Sequence, residues 1–525
     1  MRNQVFHILR KDIRHHWGEI ALSVAIIVAY AWHEVTPSTT TAYALYGFSF
    51  LSQTLPLLLV VAWAFLILRA LQAECLVGDR QFWVTRPYEW KKLLAAKLLF
   101  VLVFVNVPLL ILQGFLLLRA GFPLASYISG LLWLQLLWVL ILILPVATLA
   151  TVTASTGQFV LAVLGVVLYL IANSALSRWV PNAGVSGAGS VPAALEGVVL
   201  VGASVAAVVW QYARRRTTQS RVLLLAAAVA AGPIIMFATP YRTLIAHTYP
   251  RATTGQQLPV KLASDPAKPT SHEGGYPEEN KVHVRIPLLV SGVENGSRIH
   301  VDGMAESIRA NGELQWNSGW HVSALVFLAN RQHAQVNVTI GRGFFERVKS
   351  IPVKVHISFA LAPTHARETI RFVAQASKFT VPGEGRCSLS PIVPDEVLCV
   401  FPLKTPFLLV SAKSDEITCV PRQNETALPT GTTLYGGTRG DRGSSPADFG
   451  INPVHLVPLS FWDWGEVNVR NYRPRVCSGT PLTLFANWED SQRFRSELEV
   501  DGIRLVDYQL NDSLEGSTGF GVSVP

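Results

Sequence analysis

The sequence predicts an α-helical polytopic membrane domain of about seven transmembrane helices, followed by a mostly-β extracytoplasmic region of one or two β-sandwiches. Three observations carry that expectation. Half of the 525 residues are hydrophobic and only 15% are charged, against roughly 25% charged in ordinary soluble domains. The apolar residues of the first half form long stretches, each near the roughly 20 residues that carry a helix across a bilayer. The excess positive charge lies in that same half: residues 1–249 hold 17 Lys and Arg against 7 Asp and Glu, whereas residues 250–525 hold 27 against 28. The net charge of +9 is therefore an orientation signal, and no nucleic-acid partner is expected.

Residues 1–17 are expected to form an interfacial amphipathic helix. Phe6, Leu9, Ile13 and Trp17 fall on one face, while Arg2, Arg10, Lys11 and Arg14 lie largely elsewhere. The plainer alternatives are a cytoplasmic helix packed on protein and the start of the first span. The transmembrane domain, 18–240, holds seven apolar stretches near 19–32, 46–68, 93–118, 126–150, 159–176, 194–212 and 222–239. Met1 is followed by a charged segment with no short apolar run and no small-residue cleavage site, so no removable signal peptide is expected.

Lys and Arg are retained on the cytoplasmic side of membranes, so the loops are scored by sign. Arg2, Arg10, Lys11 and Arg14 precede the first span; Arg69, Arg80, Arg86, Lys91 and Lys92 flank the second loop; Arg214, Arg215, Arg216 and Arg221 fill the sixth. The alternate loops carry none, Arg119 alone and Arg178 alone. Seven spans then place the N-terminus in the cytoplasm and everything after about Tyr241 outside the plasma (inner) membrane. Cysteines test this, because disulfides persist in oxidising compartments. Cys75 sits in a cytoplasmic loop, while Cys387, Cys399, Cys419 and Cys477 all fall outside, where four cysteines allow three pairings. Cys387 with Cys399 is favoured because they flank a short Pro-containing segment suited to joining paired strands, which leaves Cys419 for Cys477. Four buried thiols are the other reading.

Residues 241–280 are polar and rich in Pro, Gly, Thr and Ser, as in a linker. Beyond it, short segments rich in Val, Ile, Phe and Thr, such as 281–290, 321–328, 335–340, 352–361, 379–382 and 407–410, alternate with turn residues. About 245 residues is long for one sandwich, so two β-rich domains, 281–375 and 376–525, are expected. Trp462 and Trp464 share a strand face, where core packing outweighs ligand binding. The Gly-rich run from Gly436 to Gly443 is expected to be a surface loop.

The loop after the second stretch mixes charges with aromatics outside the bilayer, as binding surfaces do. It contains Gly78-Asp79-Arg80-Gln81-Phe82-Trp83-Val84-Thr85-Arg86-Pro87, and Leu93-Leu94-Ala95-Ala96-Lys97-Leu98-Leu99 follows. In these runs the chain resembles permeases of the type-2 ABC transporter family, over roughly residues 1–215. The resemblance implies an elbow helix before the first span and a coupling helix on the second-to-third loop that docks on a separate ABC ATPase subunit. Asp79, Arg80, Phe82, Trp83, Arg86 and Pro87 would then form the ATPase-coupling loop, in a homodimer or a paired permease embedded in membrane lipid. The seventh stretch and the large C-terminal part depart from the family's six-span plan.

The chain contains no G-x-x-x-x-G-K-[ST] phosphate loop, so it is not expected to bind ATP by that device; no cofactor is expected in this chain, and ATP would come through the partner. It contains no H-E-x-x-H and no G-x-S-x-G, and no catalytic or metal-ligating residue is assigned. Glu19, Arg69, Lys97 and Glu196 lie near span ends, where snorkelling accounts for them. Asn106, Gln113, Gln135 and Asn173 lie deeper and are expected to hydrogen-bond between helices. The expected function is that of a permease subunit driven by a separate ATPase. The rival is a non-transporting membrane anchor that displays an envelope-binding or sensory ectodomain.

Overall fold

The computed structural model describes residues 2–35, 50–73, 89–177, 190–237, 247–251, 260–265, 280–310, 314–321, 323, 325–328, 333–374, 379–381, 385–389, 396–403, 407–416, 433–438, 451–462, 479–489 and 493–510. The helical half comprises α1 (Arg2–His15), α2 (Trp17–Val35), α3 (Phe50–Gln72), α4 (Trp90–Arg119), α5 (Leu124–Val152), α6 (Thr156–Ser177), α7 (Ser190–Arg214) and α8 (Thr217–Phe237). Four segments, Thr54–Gln72, Trp90–Arg119, Leu124–Val152 and Leu195–Arg214, are long and apolar enough to cross a membrane; Thr156–Ala172 and Thr217–Ala231 are shorter apolar helices. Large apolar side chains face outward along them: Ile111, Ile128, Ile141, Leu161, Leu168 and Leu225 are each more than half exposed. Such a surface is costly in water and matched in lipid, where each helix satisfies its own backbone polar groups.

Inside the bundle, Tyr30, Leu59, Trp63, Phe100, Leu109 and Trp138 belong to one buried cluster. Trp63 of α3 meets Trp138 of α5 edge to face, with ring centroids 5.7 Å apart. Both α4 and α5 widen in the middle into a π turn, Leu102–Asn106 and Val139–Ile143. The cause is local: Pro108 and Pro145 stand just beyond these turns. A proline lacks an N–H, and its ring clashes with the carbonyl four residues back, which favours the wider spacing. Accordingly Val107 N–H reaches Leu102 O, and Leu144 N–H reaches Val139 O.

The second half is built from β1 (Lys261–Ser264), β2 (Lys281–Ser291), β3 (Arg298–Arg309), β4 (Gln315–His321), β5 (Val326–Leu328), β6 (His333–Gly341), α9 (Arg342–Val348), β7 (Pro352–Val373), β8 (Phe379–Val381), β9 (Gly385–Leu389), β10 (Glu396–Pro402), β11 (Phe407–Lys413), β12 (Thr433–Thr438), β13 (Val454–Trp462), β14 (Pro481–Glu489) and β15 (Phe494–Arg504). One sheet runs β1-β2-β6, the other β4-β3-β7-β14-β11-β12-β13-β10-β9-β8, with β15 on β7 and β5 on β3. Alternation in β2 and β6 points Val284, Ile286, Val336 and Val338 at Ile308, Val355, Ile357 and Leu498 of the larger sheet, in one cluster. A second cluster gathers Val397, Phe401, Val410, Leu459 and Leu484.

The 22-residue β7 contributes to both clusters. Its first part pairs with β3 and β15, its second with β14. The boundary expected near 375 falls directly after β7, and β15 returns from beyond it to pair with the first part of that strand. Four local expectations need adjustment. The strand expected at 352–361 continues to Val373, because β14 supplies a ladder to a polar stretch with weak strand patterning. The segment 321–328 is two strands, β4 ending at His321 and β5 beginning at Val326. Part of the expected linker forms β1 on the edge of β2. Gly436, Gly437 and Thr438 belong to β12, between β11 and β13, rather than to a loop; main-chain pairing needs no side chain.

Candidate functional site

Polar groups inside an apolar bundle are costly unless partnered, so they mark where the fold is constrained. They occur at three levels here. At one end, Asp12 of α1 and Lys97, two turns into α4, form a 2.8 Å ion pair with side chains 2% and 1% exposed. This corrects the snorkelling expectation for Lys97: its ammonium turns inward to a buried carboxylate instead of outward to the interface. His16, between α1 and α2, is buried with its ring 6.2 Å from that of Phe100. Burial lowers its pKa, against the pull of Glu19. Glu19 lies 3.7 Å from Arg69 of α3.

The same end carries two further ties. Gln72, closing α3, donates to the Thr153 carbonyl at 3.3 Å and to its hydroxyl at 3.2 Å. Arg221 of α8 donates through Nε and Nη2 to the Val152 carbonyl at 2.9 and 2.7 Å. These bonds satisfy carbonyls that the last turn of α5 leaves without helical partners, and a cation there suits the helix dipole.

At the middle level, Asn106 Nδ2 donates to Gln135 Oε1 at 3.0 Å, and Gln135 Nε2 donates to Gln113 Oε1 at 2.9 Å. All three amides are buried. The π turn of α4 ends on Asn106, so the widened turn and the cross-helix bond to α5 coincide. The side chain of Asn173 lies outside the described residues.

At the other end, α4 finishes in a Schellman turn. Phe122 N–H bonds to Leu117 O and Gly121 N–H to Leu118 O, with Gly121 at φ +83°. Leu117 and Phe122 share an apolar cluster with Leu131, as the motif favours. The carbonyls of Ala120 and Gly121 accept from the Arg386 guanidinium of β9, the former at 3.3 Å, and Arg386 also lies 5.2 Å from the Phe122 ring centroid. Leu403, just past β10, packs over Gly130 of α5, where any Cβ would meet it. Asn452 donates to Glu34 of α2 at 3.4 Å, and Ile451 is buried with the bundle core.

Of the expected α1 face, Leu9 and Ile13 pack against the bundle, while Phe6 and Trp17 are 52% and 70% exposed. The buried side also includes Ile8, Asp12 and His16. Their i, i+4, i+8 spacing was present in the sequence, hidden because two of the three are polar. Arg386 likewise gave only a faint signal, a lone cation in a five-residue strand. Cys387 and Cys399 form a disulfide at directly opposed positions of β9 and β10. Asp79, Arg80, Phe82, Trp83, Arg86, Pro87, Cys419 and Cys477 lie outside the described residues. So do Cys75 and Trp464.

A second constellation sits on the open face of β7 and β15. Ser358 Oγ is 3.2 Å from His356 Nε2, and His356 Nδ1 is 3.5 Å from Glu499 Oε1. A hydrogen bond from Lys354 holds the Glu499 carboxyl below its usual pKa and raises that of the lysine. Lys354, His356 and Ser358 are alternate positions of β7, and Glu499 of β15 stands opposite His356. Backbone N–H groups there are engaged between strands, so no pair converges on Ser358 as an oxyanion would require. Among the described residues no group of three or more His, Cys, Asp or Glu is arranged to hold a metal ion. The chain matches no protein-family model and no curated protein.

Proposed function

We propose that the chain is the membrane subunit of an exporter resembling type-2 ABC permeases, with its N-terminus cytoplasmic and its β-region outside the plasma membrane. In this reading α2 to α8 are seven spans and the β-region is a pair of packed sheets carried by the seventh. A separate ATPase binds residues 74–88, and its ATP-driven closure rocks the spans of a permease dimer.

One observation supports this reading above the rest: α1 and the first turn of α2 are joined to the two helices that bracket residues 74–88. Asp12 pairs with Lys97 near the start of α4, and Glu19 lies beside Arg69 near the close of α3. A subunit pressing on that loop would move α4 with α1 and α3 with α2, as coupling requires. The basic residues Arg10, Lys11, Arg14, Lys91, Arg214, Arg215 and Arg216 are exposed at the same end, which fits a cytoplasmic face. Around α1, the exposed Phe6 and Trp17 suit a helix lying in the headgroup layer.

The test is purification of the full chain in mild detergent followed by mass spectrometry. A co-purifying ATPase is expected, and it should be lost on combined Phe82→Ala, Trp83→Ala and Arg86→Ala substitution. Repeated absence of any ATPase from the wild-type preparation would overturn the permease reading in favour of the anchor.

A further inference from the structure

The helix α4 is held at both ends by charged side chains from other parts of the chain. Its 30 residues span about 45 Å at 1.5 Å per residue, long enough to run the full thickness of a bilayer. Near its first turns Lys97 is bonded to Asp12. At its last, Arg386 caps the carbonyls of Ala120 and Gly121. The outer contact is closely specified. Gly121 has a positive φ and faces Arg386, so a side chain there would be strained and would strike the guanidinium; Gly130 admits Leu403 in the same way. Arg386 is itself anchored, since the adjacent Cys387 is bonded across to Cys399. The buried amides in the middle, Asn106, Gln135 and Gln113, are bonded to one another.

We propose that α4 works as a lever that conveys displacement of the α1 end to the β-region through Arg386, so that the protein delivers motion outside the membrane as well as moving any cargo through it. The proposal rests on the orientation adopted above. A rigid-body link of this kind needs stiff contacts at both ends and a continuous element between them. The π turn at Leu102–Asn106 lies within one continuous helix, Trp90–Arg119.

The test uses the full chain in lipid nanodiscs, with nitroxide labels introduced through a keto amino acid at positions 198 of α7 and 380 of β8, both exposed. Native cysteines stay untouched, and pulsed electron resonance reads the distance between the labels. Wild type should give one narrow distribution, and Lys97→Met should shift or broaden it. Arg386→Ala should broaden it as well, and adding Lys97→Met to that variant should change nothing further, because the connection is already cut. Arg386→Lys, which keeps the charge but loses the fork, should give an intermediate width, as should Leu403→Ala. Each variant is taken as a monodisperse gel-filtration peak, and Leu403→Ala stands in if Arg386→Ala does not fold. An unchanged distribution in Lys97→Met, or a Lys97→Met shift that survives without Arg386, would overturn the lever. No ATPase is present, so a lever that holds while co-purification fails removes only the ATPase as its driver, and the reverse outcome removes only the lever.

Discussion

Replacing Asp12 with Leu removes a carboxylate from a site where the paired ammonium is 1% exposed. Two unit charges 2.8 Å apart attract by about 6 kcal/mol at an effective dielectric constant of 20. Withdrawing each ion from water costs several kcal/mol, so the intact pair contributes little net stability. Breaking it is different, because one charge is left in an apolar interior at a cost of about 3–5 kcal/mol. Asp12→Leu and Lys97→Met should therefore each destabilise the bundle by about that amount. The double variant should be far less destabilised than their sum, with a coupling energy of about 2 kcal/mol or more. The assay is reversible unfolding by SDS titration in mixed micelles, followed by tryptophan fluorescence; Trp63 and Trp138, packed on each other inside the bundle, are suitable reporters. Single effects of about 0.2–1 kcal/mol that add in the double variant, as exposed pairs give, would refute the reasoning and free α1 from α4.

Burial, assisted by the Arg298 charge, pushes the His300 imidazole down to about 3. The folded state holds it neutral while the unfolded chain protonates it, so stability is lost as pH falls through 6.5 toward 3. Between pH 7 and 5 the β-region should lose about 2 kcal/mol, a slope that His300→Gln should flatten in chemical denaturation. Removing the disulfide with Cys387→Ala and Cys399→Ala should cost about 2–4 kcal/mol, and dithiothreitol should lower the wild-type denaturation midpoint by more than that of the double variant. Gln135→Leu strips Asn106 of its acceptor and Gln113 of its donor, and should destabilise the bundle by about 2–4 kcal/mol. Replacing all three amides by Leu should restore much of that loss in the same SDS assay.

The helical half was legible because its signal is one-dimensional. A run of apolar residues long enough for a bilayer needs no knowledge of its neighbours, and the described helices overlay the stretches read from hydropathy. Pro108 and Pro145 also carried local information, and the π turns follow from them. The disulfide was legible from two cysteines flanking a turn-like segment. Lys97 was read as a surface group because sequence shows how far a residue is from a span end, not which way its side chain turns. The extension of β7 to Val373 was missed for a related reason. Residues 364–368, Thr-His-Ala-Arg-Glu, have weak strand patterning, and their strand conformation depends on β14, more than a hundred residues later.

By itself, the sequence determined that the first half holds apolar helices long enough to cross a membrane, that strands follow them and that positive charge gathers on the helical side. These depend on composition and periodicity, which act over a few turns of chain. Only the tertiary structure decided that Asp12 meets Lys97, that Asn106, Gln135 and Gln113 form one chain of bonds, and that Arg386 closes the end of α4. Each contact joins residues between 22 and 266 positions apart. A buried charge or amide is tolerated only where a complementary group arrives in the right place, and packing of the whole chain supplies that group.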